Sequence, residues 1–400
     1  MSGALAGSHP LLNTRPDFVK GEPDSAKPQD LARFYESQLK LHHECSEMVY
    51  VKARLATAYN DLGAMGTAIE LGQEIQAQLA DMDIQDNELD SVVDKWDDQL
   101  HVEAVDAAAS DLATTTFQSW KATAEHRFPP YLPMPPGHED LRKRWQSHFR
   151  PASAQYRGFL LASAIETNHI EKTFRITESS AEDLIRHGVV EGRVEVHPAS
   201  EIADESVIKD ILHDTLAAYD VVDLIARHHQ DLTPYKISDI HSRVMATARF
   251  HGQYYIPPGD TRTITRQTVY VNEPKGRVRF CPYLKVDSEL VAICRSTKAL
   301  LKNTTNSFAV ASWLHLVLAR CHPFDDGNGR VARLAASLPL LLAGYPPMYI
   351  AFDKRAVYFD AISQTYDGNY TPFMHHILDG AKTAMDRVER LLDSASVSTG

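Results

Sequence analysis

Two stretches of helical apolar periodicity, separated by a short polar loop with two glycines, constrain this chain more than any other feature of its sequence. Val310, Ala311, Leu314, Val317, Leu318 and Cys321 keep a 3.6-residue period, so a helix is expected to run up to His322, where the pair His322-Pro323 ends it. Val331, Leu334, Ala335 and Leu338 begin a second such stretch, closed by Gly344 and Pro346-Pro347. Both helices are expected to be buried, which places the loop His322-Pro323-Phe324-Asp325-Asp326-Gly327-Asn328-Gly329-Arg330 between them.

A loop that enters a helix through Gly327, Asn328 and Gly329 offers clustered backbone donors and the positive end of a helix dipole, and both suit phosphate oxygens. Arg330 and Arg333 lie three apart on the first turn, so both can turn toward an anion there. Asp326 adjoins that cradle, and a lone carboxylate beside phosphate is the usual way to hold Mg²⁺ (or Mn²⁺), which keeps most of its ligands as water and phosphate. His322 suits a general base for a hydroxyl attacking phosphorus, because imidazole titrates near neutral pH. Phe324, apolar in a polar loop, is expected to anchor it in the core.

Each residue also has a plainer reading: a histidine capping carbonyls, aspartates favouring a helix start, arginines in solvent. The combination within twelve residues is what favours chemistry. Gly327-Asn328-Gly329-Arg330-Val331-Ala332 also satisfies the dinucleotide pattern G-x-G-x-x-G/A, with Asp353 near the distance expected for a ribose-binding acid. That pattern needs a buried strand before the first glycine, and here a helix and a proline-broken polar run lead in. No G-x-x-x-x-G-K-[ST] phosphate loop occurs.

At 400 residues, 44% hydrophobic and 24% charged, the chain falls in the ordinary globular class and has room for two domains. Its net charge of -12 argues against nucleic acid or an anionic membrane as partner. Cys45, Cys281, Cys294 and Cys321 are scattered without zinc spacing and read as reduced. No apolar run reaches the ~18 residues of a membrane span and Met1 to Asn13 do not resemble a signal peptide, so the expected location is cytoplasmic or nuclear.

Residues 1–28 mix Gly, Pro, Ser and charge and read as a flexible arm. Residues 29–127 turn helical, with Leu55, Ala58, Tyr59 and Leu62 on one apolar face, and form the expected N-terminal domain. The acidic run from Asp81 to Asp106 reads as a solvated helix face. Prolines over 128–140 cannot continue a helix and mark the expected linker to a second domain at 141–390. That domain is again helical except near 252–286, where Gly259-Asp260, Asn272 and Lys275-Gly276 punctuate β-rich runs such as Thr268-Val269-Tyr270-Val271. The expected fold class is mainly α with one β-hairpin.

His322 to Arg333, HPFDDGNGRVAR, resembles the signature H-x-F-x-[DE]-G-N-G-R-x-x-R of the Fic family at every specified position, with a looser resemblance over roughly 154–385. The resemblance implies an all-α Fic core with a β-hairpin flap, and AMP transfer from MgATP to a Ser, Thr or Tyr hydroxyl of a target protein. It makes His322 the base, Asp326 the metal ligand, Gly327, Asn328 and Gly329 the phosphate cradle, and Arg330 and Arg333 the partners of the leaving phosphates. The stretch around Arg262–Val269 resembles the flap, with Thr265, Arg266, Gln267 and Thr268 registering the target by strand addition.

Many Fic proteins carry [ST]-x-x-x-E-[GN], whose glutamate pairs with the second signature arginine and blocks productive ATP binding. Ala162-Ser163-Ala164-Ile165-Glu166-Thr167 resembles that segment but departs from it at both ends, and it makes Glu166 the expected inhibitor within a helix near 154–168. Tyr358, beside Phe359, resembles the aromatic that borders the nucleotide base. Homodimers are common in the family, and in some relatives the same glutamate serves removal of AMP. The alternatives are a nucleotide-sensing or scaffolding protein with a non-catalytic core, and transfer of another nucleotide or phosphate moiety.

Overall fold

Helical periodicity becomes helix through most of the chain, in a computed structural model that describes all residues except 1–4, 6, 24–26, 43–45, 47, 113, 130, 252–253, 274–275 and 398–400. Cys45 and Lys275 therefore lie outside the described residues. Contacts group the chain into two units. The first comprises Met1–Gln118, Arg249–Val278 and Pro282–Leu284; the second comprises Ser119–Ala248, Arg279–Cys281 and Lys285–Gly400.

The first unit is built on helices Pro28–Leu41, Met48–Asp61, Met65–Ala80 and Asn87–Leu112. Leu55, Ala58, Tyr59 and Leu62, expected on one apolar face, are all buried. On the long helix, Leu89, Val93, Trp96, Leu100 and Ala104 turn inward, while Asp94, Asp98, Glu103 and Asp106 are exposed. This is the division an amphipathic helix requires. Asp86 departs from the solvated acidic run: it is buried, and its carboxylate accepts from the N–H groups of Leu89, at 3.1 Å, and His9, at 2.7 Å.

That second bond bears on the arm expected over 1–28. Pro10–Asn13 is a short helix, and Leu12 and Val19 are buried in the core of this unit, so the described part of the arm is packed. Its composition gave no periodicity because only isolated side chains are inserted.

The segment 249–278 also belongs to this unit. Arg249 pairs with Glu36 at 2.7 Å, and Tyr255 stacks on Tyr59 with centroids 5.0 Å apart. Thr67 donates to Asp260 at 2.7 Å. Strands Phe250–His251 and Tyr254–Tyr255 pair antiparallel, while Gly276–Arg279 lies between Tyr270–Glu273 and the parallel strand Thr116–Gln118. The strand expected from Thr268 thus starts only at Tyr270. Arg262–Thr265 forms a helical turn, Arg266 closes it at φ 54°, and Gln267 and Thr268 are in neither helix nor strand. Tertiary bonds override strand propensity here: the buried Arg262 donates to the Gln267 carbonyl at 2.9 Å, and Arg266 pairs with Asp97 at 2.5 Å.

In the second unit, Ser307–Cys321 and Asn328–Leu342 form the interior, with nearly every side chain buried. Ala154–Glu171, Glu205–Arg227, Pro234–Val244, Val286–Asn303, Arg355–Tyr366 and Thr371–Val397 are among the helices that pack around that pair. The proline-rich stretch is extended and lies on this unit, so the chain divides at Gln118, before the stretch expected to carry the boundary. Asn306 fixes it: its side-chain nitrogen donates to the carbonyls of Leu132 and Pro133 at 2.9 and 3.1 Å, while its oxygen caps the next helix at the Ala309 N–H. Asn306→Ala removes the cap and both links, and is expected to lower stability by about 2 kcal/mol, measured as a shift in the urea unfolding midpoint.

Candidate active site

The leading helix ends at His322, which takes the left-handed conformation, φ 49°, while its N–H still bonds the Leu318 carbonyl. Proline at 323 forbids a further helical turn. The His322 ring lies flat on Phe280, with centroids 3.9 Å apart and planes 15° from parallel. Its Nδ1 is 3.3 Å from the Ala319 carbonyl, a partner that can only accept, so the proton sits on Nδ1 and Nε2 is the basic nitrogen.

The loop is held by its own side chains. Asn328 accepts from the Phe324 N–H at 2.9 Å and donates to the Phe324 carbonyl at 2.7 Å, so its amide locks the turn. Phe324 is fully buried and stacks on His241 at 3.7 Å. His241 is itself within 3.1 Å of the Asp326 carbonyl, and burial pushes its pKa down to about 3. Gly327 has φ 75°, the left-handed backbone that favours glycine, and a Cβ there would stand 3.0 Å from Met245 Sδ. The N–H groups of Asn328, Gly329 and Arg330 begin the second helix and have no carbonyl one turn back to bond.

Asp326 is more than half exposed, with one oxygen 3.5 Å from Arg330. Partial desolvation would raise its pKa, but Arg330, the Gly327 N–H and the imidazoles of His241 and His322 outweigh it and hold the carboxyl below its ordinary range. One open carboxylate beside unpaired backbone donors fits a Mg²⁺ ion carried in with phosphate.

Arg330 and Arg333 are both buried. Arg330 reaches Asn168 Oδ1 at 3.3 Å, and its Nε lacks a hydrogen-bond partner. Arg333 makes four bonds: Nε donates to Thr167 Oγ1 at 2.8 Å, Nη1 to the Tyr358 hydroxyl at 3.1 Å, and Nη2 to the Thr167 carbonyl at 3.0 Å and to Glu171 at 2.7 Å. A Cβ on Gly329 would fall 2.1 Å from the same Glu171 carboxylate, which therefore lies directly on the cradle.

Glu171, not Glu166, faces the second signature arginine. Glu166 accepts from the Phe352 N–H at 2.7 Å and pairs with Arg387 at 3.2 Å. Its burial raises its pKa, only partly offset by those two donors. With His169, Arg175 and Phe352 it lines a separate cavity of about 700 Å³. The reason is helical phase: five residues at 100° each put Glu166 and Glu171 roughly 140° apart around the helix. The signal was present, since Thr167-Asn168-His169-Ile170-Glu171 has the threonine and glutamate of [ST]-x-x-x-E, and only Lys172 departs. Lys172 nonetheless takes the left-handed turn, φ 59°, that Gly or Asn favours.

Tyr358, expected at a nucleotide base, is 1% exposed and holds Arg333, so it offers a ligand no face. Its neighbour Phe359 is 40% exposed under Arg355. Thr265, Arg266, Gln267 and Thr268 belong to the first unit; Thr265 is buried and Arg266 is engaged by Asp97. Cys281, Cys294 and Cys321 are buried thiols, and no helix among the described residues is long and apolar enough to cross a membrane.

Residues 231–340 match the Fic/DOC family. The chain is 25% identical over 182 residues to a protein adenylyltransferase, fic-1, of Caenorhabditis briggsae, covering 44% of this chain and 32% of that protein. It is 38% identical over 76 residues to a protein adenylyltransferase, Fic, of Aedes aegypti, covering 19% and 15%. The chain thus spans at most about a third of the length of these relatives. A Fic-domain-containing signalling protein of Bacteroides thetaiotaomicron shares the fold, with a TM-score of 0.50 at 17% identity over 63% of this chain and 96% of that one.

His241 and His315, with pKa values lowered to about 3, and His126 and His169, lowered to about 4, are all depressed mainly by burial. Each is neutral when folded and takes up a proton on unfolding once the pH drops below the ordinary histidine value. Stability is therefore complete above pH ~6.5 and falls toward pH ~4 by up to about 1.4 kcal/mol per pH unit for each imidazole. Urea midpoints measured at pH 7 and pH 5 are expected to differ clearly, with the lower value at pH 5.

Proposed function

We propose that this chain, which carries a Fic/DOC-family domain, transfers AMP from MgATP to a Ser, Thr or Tyr hydroxyl of another protein, and that Glu171 restrains the reaction by occupying Arg333. The observation that carries this reading is the convergence of Glu171, Arg333 and Gly329. One carboxylate sits where phosphate oxygens would lie, on the guanidinium and above the backbone donors that would receive them.

In the forward reaction His322 Nε2 takes the proton from the attacking hydroxyl. That oxygen bonds the α-phosphorus, the bond from phosphorus to the bridging oxygen breaks, and pyrophosphate departs with the electron pair. Arg330, Arg333 and the N–H groups of Asn328, Gly329 and Arg330 stabilise the charge on the leaving group. Asp326 would hold Mg²⁺, which neutralises phosphate charge when bound. Phe280 and the Ala319 carbonyl fix the base in ring plane and tautomer.

Restraint follows from competition, since γ-phosphate and Glu171 need the same guanidinium edge. Glu171→Gly is expected to raise AMP transfer about 10- to 100-fold, the worth of one charge-assisted pair, read with ATP labelled in the α-phosphate on a lysate. Glu166→Gly leaves the rate near that of the unaltered chain, because Glu166 is spent on Arg387. His322→Ala in the Glu171→Gly background lowers transfer by roughly 10²- to 10⁴-fold. Transfer of label from the γ-phosphate and not from the α-phosphate would overturn the reaction proposed.

A further inference from the structure

Tyr358 and His315 have no place in the reaction described above, yet both are buried polar side chains in line with Arg333. The Tyr358 hydroxyl lies 3.1 Å from Arg333 Nη1 and 2.7 Å from His315 Nε2. Arginine can only donate, so the phenol oxygen receives that bond and its own proton is directed to His315 Nε2. His315 is 1% exposed, and its Nδ1 lacks a hydrogen-bond partner. A buried imidazole satisfied on one nitrogen alone costs stability that a leucine would not. Among the described residues, the imidazole's one hydrogen bond is to Tyr358.

We infer that Tyr358 and His315 form a neutral relay that positions Arg333, setting the guanidinium edge that either Glu171 or a nucleotide phosphate must meet. This rests on the AMP-transfer reading above and adds two positioning residues to it. The order Glu171, Arg333, Tyr358, His315 joins four helices: Ala154–Glu171, Asn328–Leu342, Arg355–Tyr366 and Ser307–Cys321. Its far end stands on the same helix as His322, seven residues and about two turns before it.

Neutrality matters. A second carboxylate at 358 or 315 would compete with phosphate for Arg333, and a second cation would repel it. A phenol that accepts from Nη1 and passes its proton onward orients the guanidinium without spending its charge. Burial lowers the pKa of His315 to about 3, which keeps the far end of the relay uncharged. Thr167 holds the opposite edge through its hydroxyl and carbonyl, so Nη2 is left pointing at Glu171.

The test uses the full chain carrying Glu171→Gly, with initial rates of AMP transfer measured against MgATP concentration. Tyr358→Phe, which deletes only the hydroxyl, is expected to raise KM for MgATP about tenfold, as for loss of a hydrogen bond to a charged group, with kcat changed less than threefold. His315→Leu should reproduce that shift, and adding it to Tyr358→Phe should change little further, because both break one chain. His315→Gln, which keeps an acceptor, should restore KM to within about twofold.

Thermal unfolding of each variant separates this from simple loss of packing, which would lower Tm and kcat together and act additively. An unchanged KM in Tyr358→Phe, or additive effects of the two substitutions, overturns the inference alone. A Glu171→Gly parent that transfers no AMP overturns the functional reading and the inference with it.

Discussion

The buried guanidinium of Arg333 is the constraint on which the rest of this site depends. A fully enclosed cation is tolerated only when its donors are met and its charge is opposed. Thr167 and Tyr358 meet donors, and Glu171 supplies both a bond and the charge. Each partner comes from an element that must arrive in register: the helix ending at Glu171, the helix carrying Tyr358, and Arg333 itself on the first turns after the glycine loop. Arg333 is therefore a buried cation whose counter-ion, Glu171, is supplied by the chain itself.

The same logic explains why the loop was legible in the sequence. His322, Asp326, the glycines and the arginines lie within one short span, and helical periodicity on both sides fixes where that span begins and ends. The local reasons for each residue are largely local bonds, such as the Asn328 amide clamping Phe324 and the absent Cβ at Gly327 making room for Met245. Even so, Asn328 serves the loop through its side chain more than a ligand, which residue type alone does not reveal.

What was not legible depends on phase and on distant partners. Glu166 and Glu171 stand five residues apart on one helix, and only the direction of each side chain around the axis separates them. Tyr358 and Phe359 are adjacent aromatics with opposite fates, one sealed against Arg333 and His315, the other open beneath Arg355. The turn at Arg262–Thr265 reads as strand by composition, yet Arg262 and Arg266 bond in ways that curl it. Likewise, Leu12 and Val19 pack although nothing in 1–28 repeats.

In the function proposed above, Glu171 and nucleotide phosphate contend for one guanidinium. The most direct measurement is the equilibrium dissociation constant of MgATP for the unaltered chain, for Glu171→Gly and for Glu166→Gly, by isothermal titration calorimetry. Binding about 10- to 100-fold tighter is expected in Glu171→Gly alone. Equal affinity in all three proteins, or tighter binding on loss of Glu166 and not of Glu171, would contradict it.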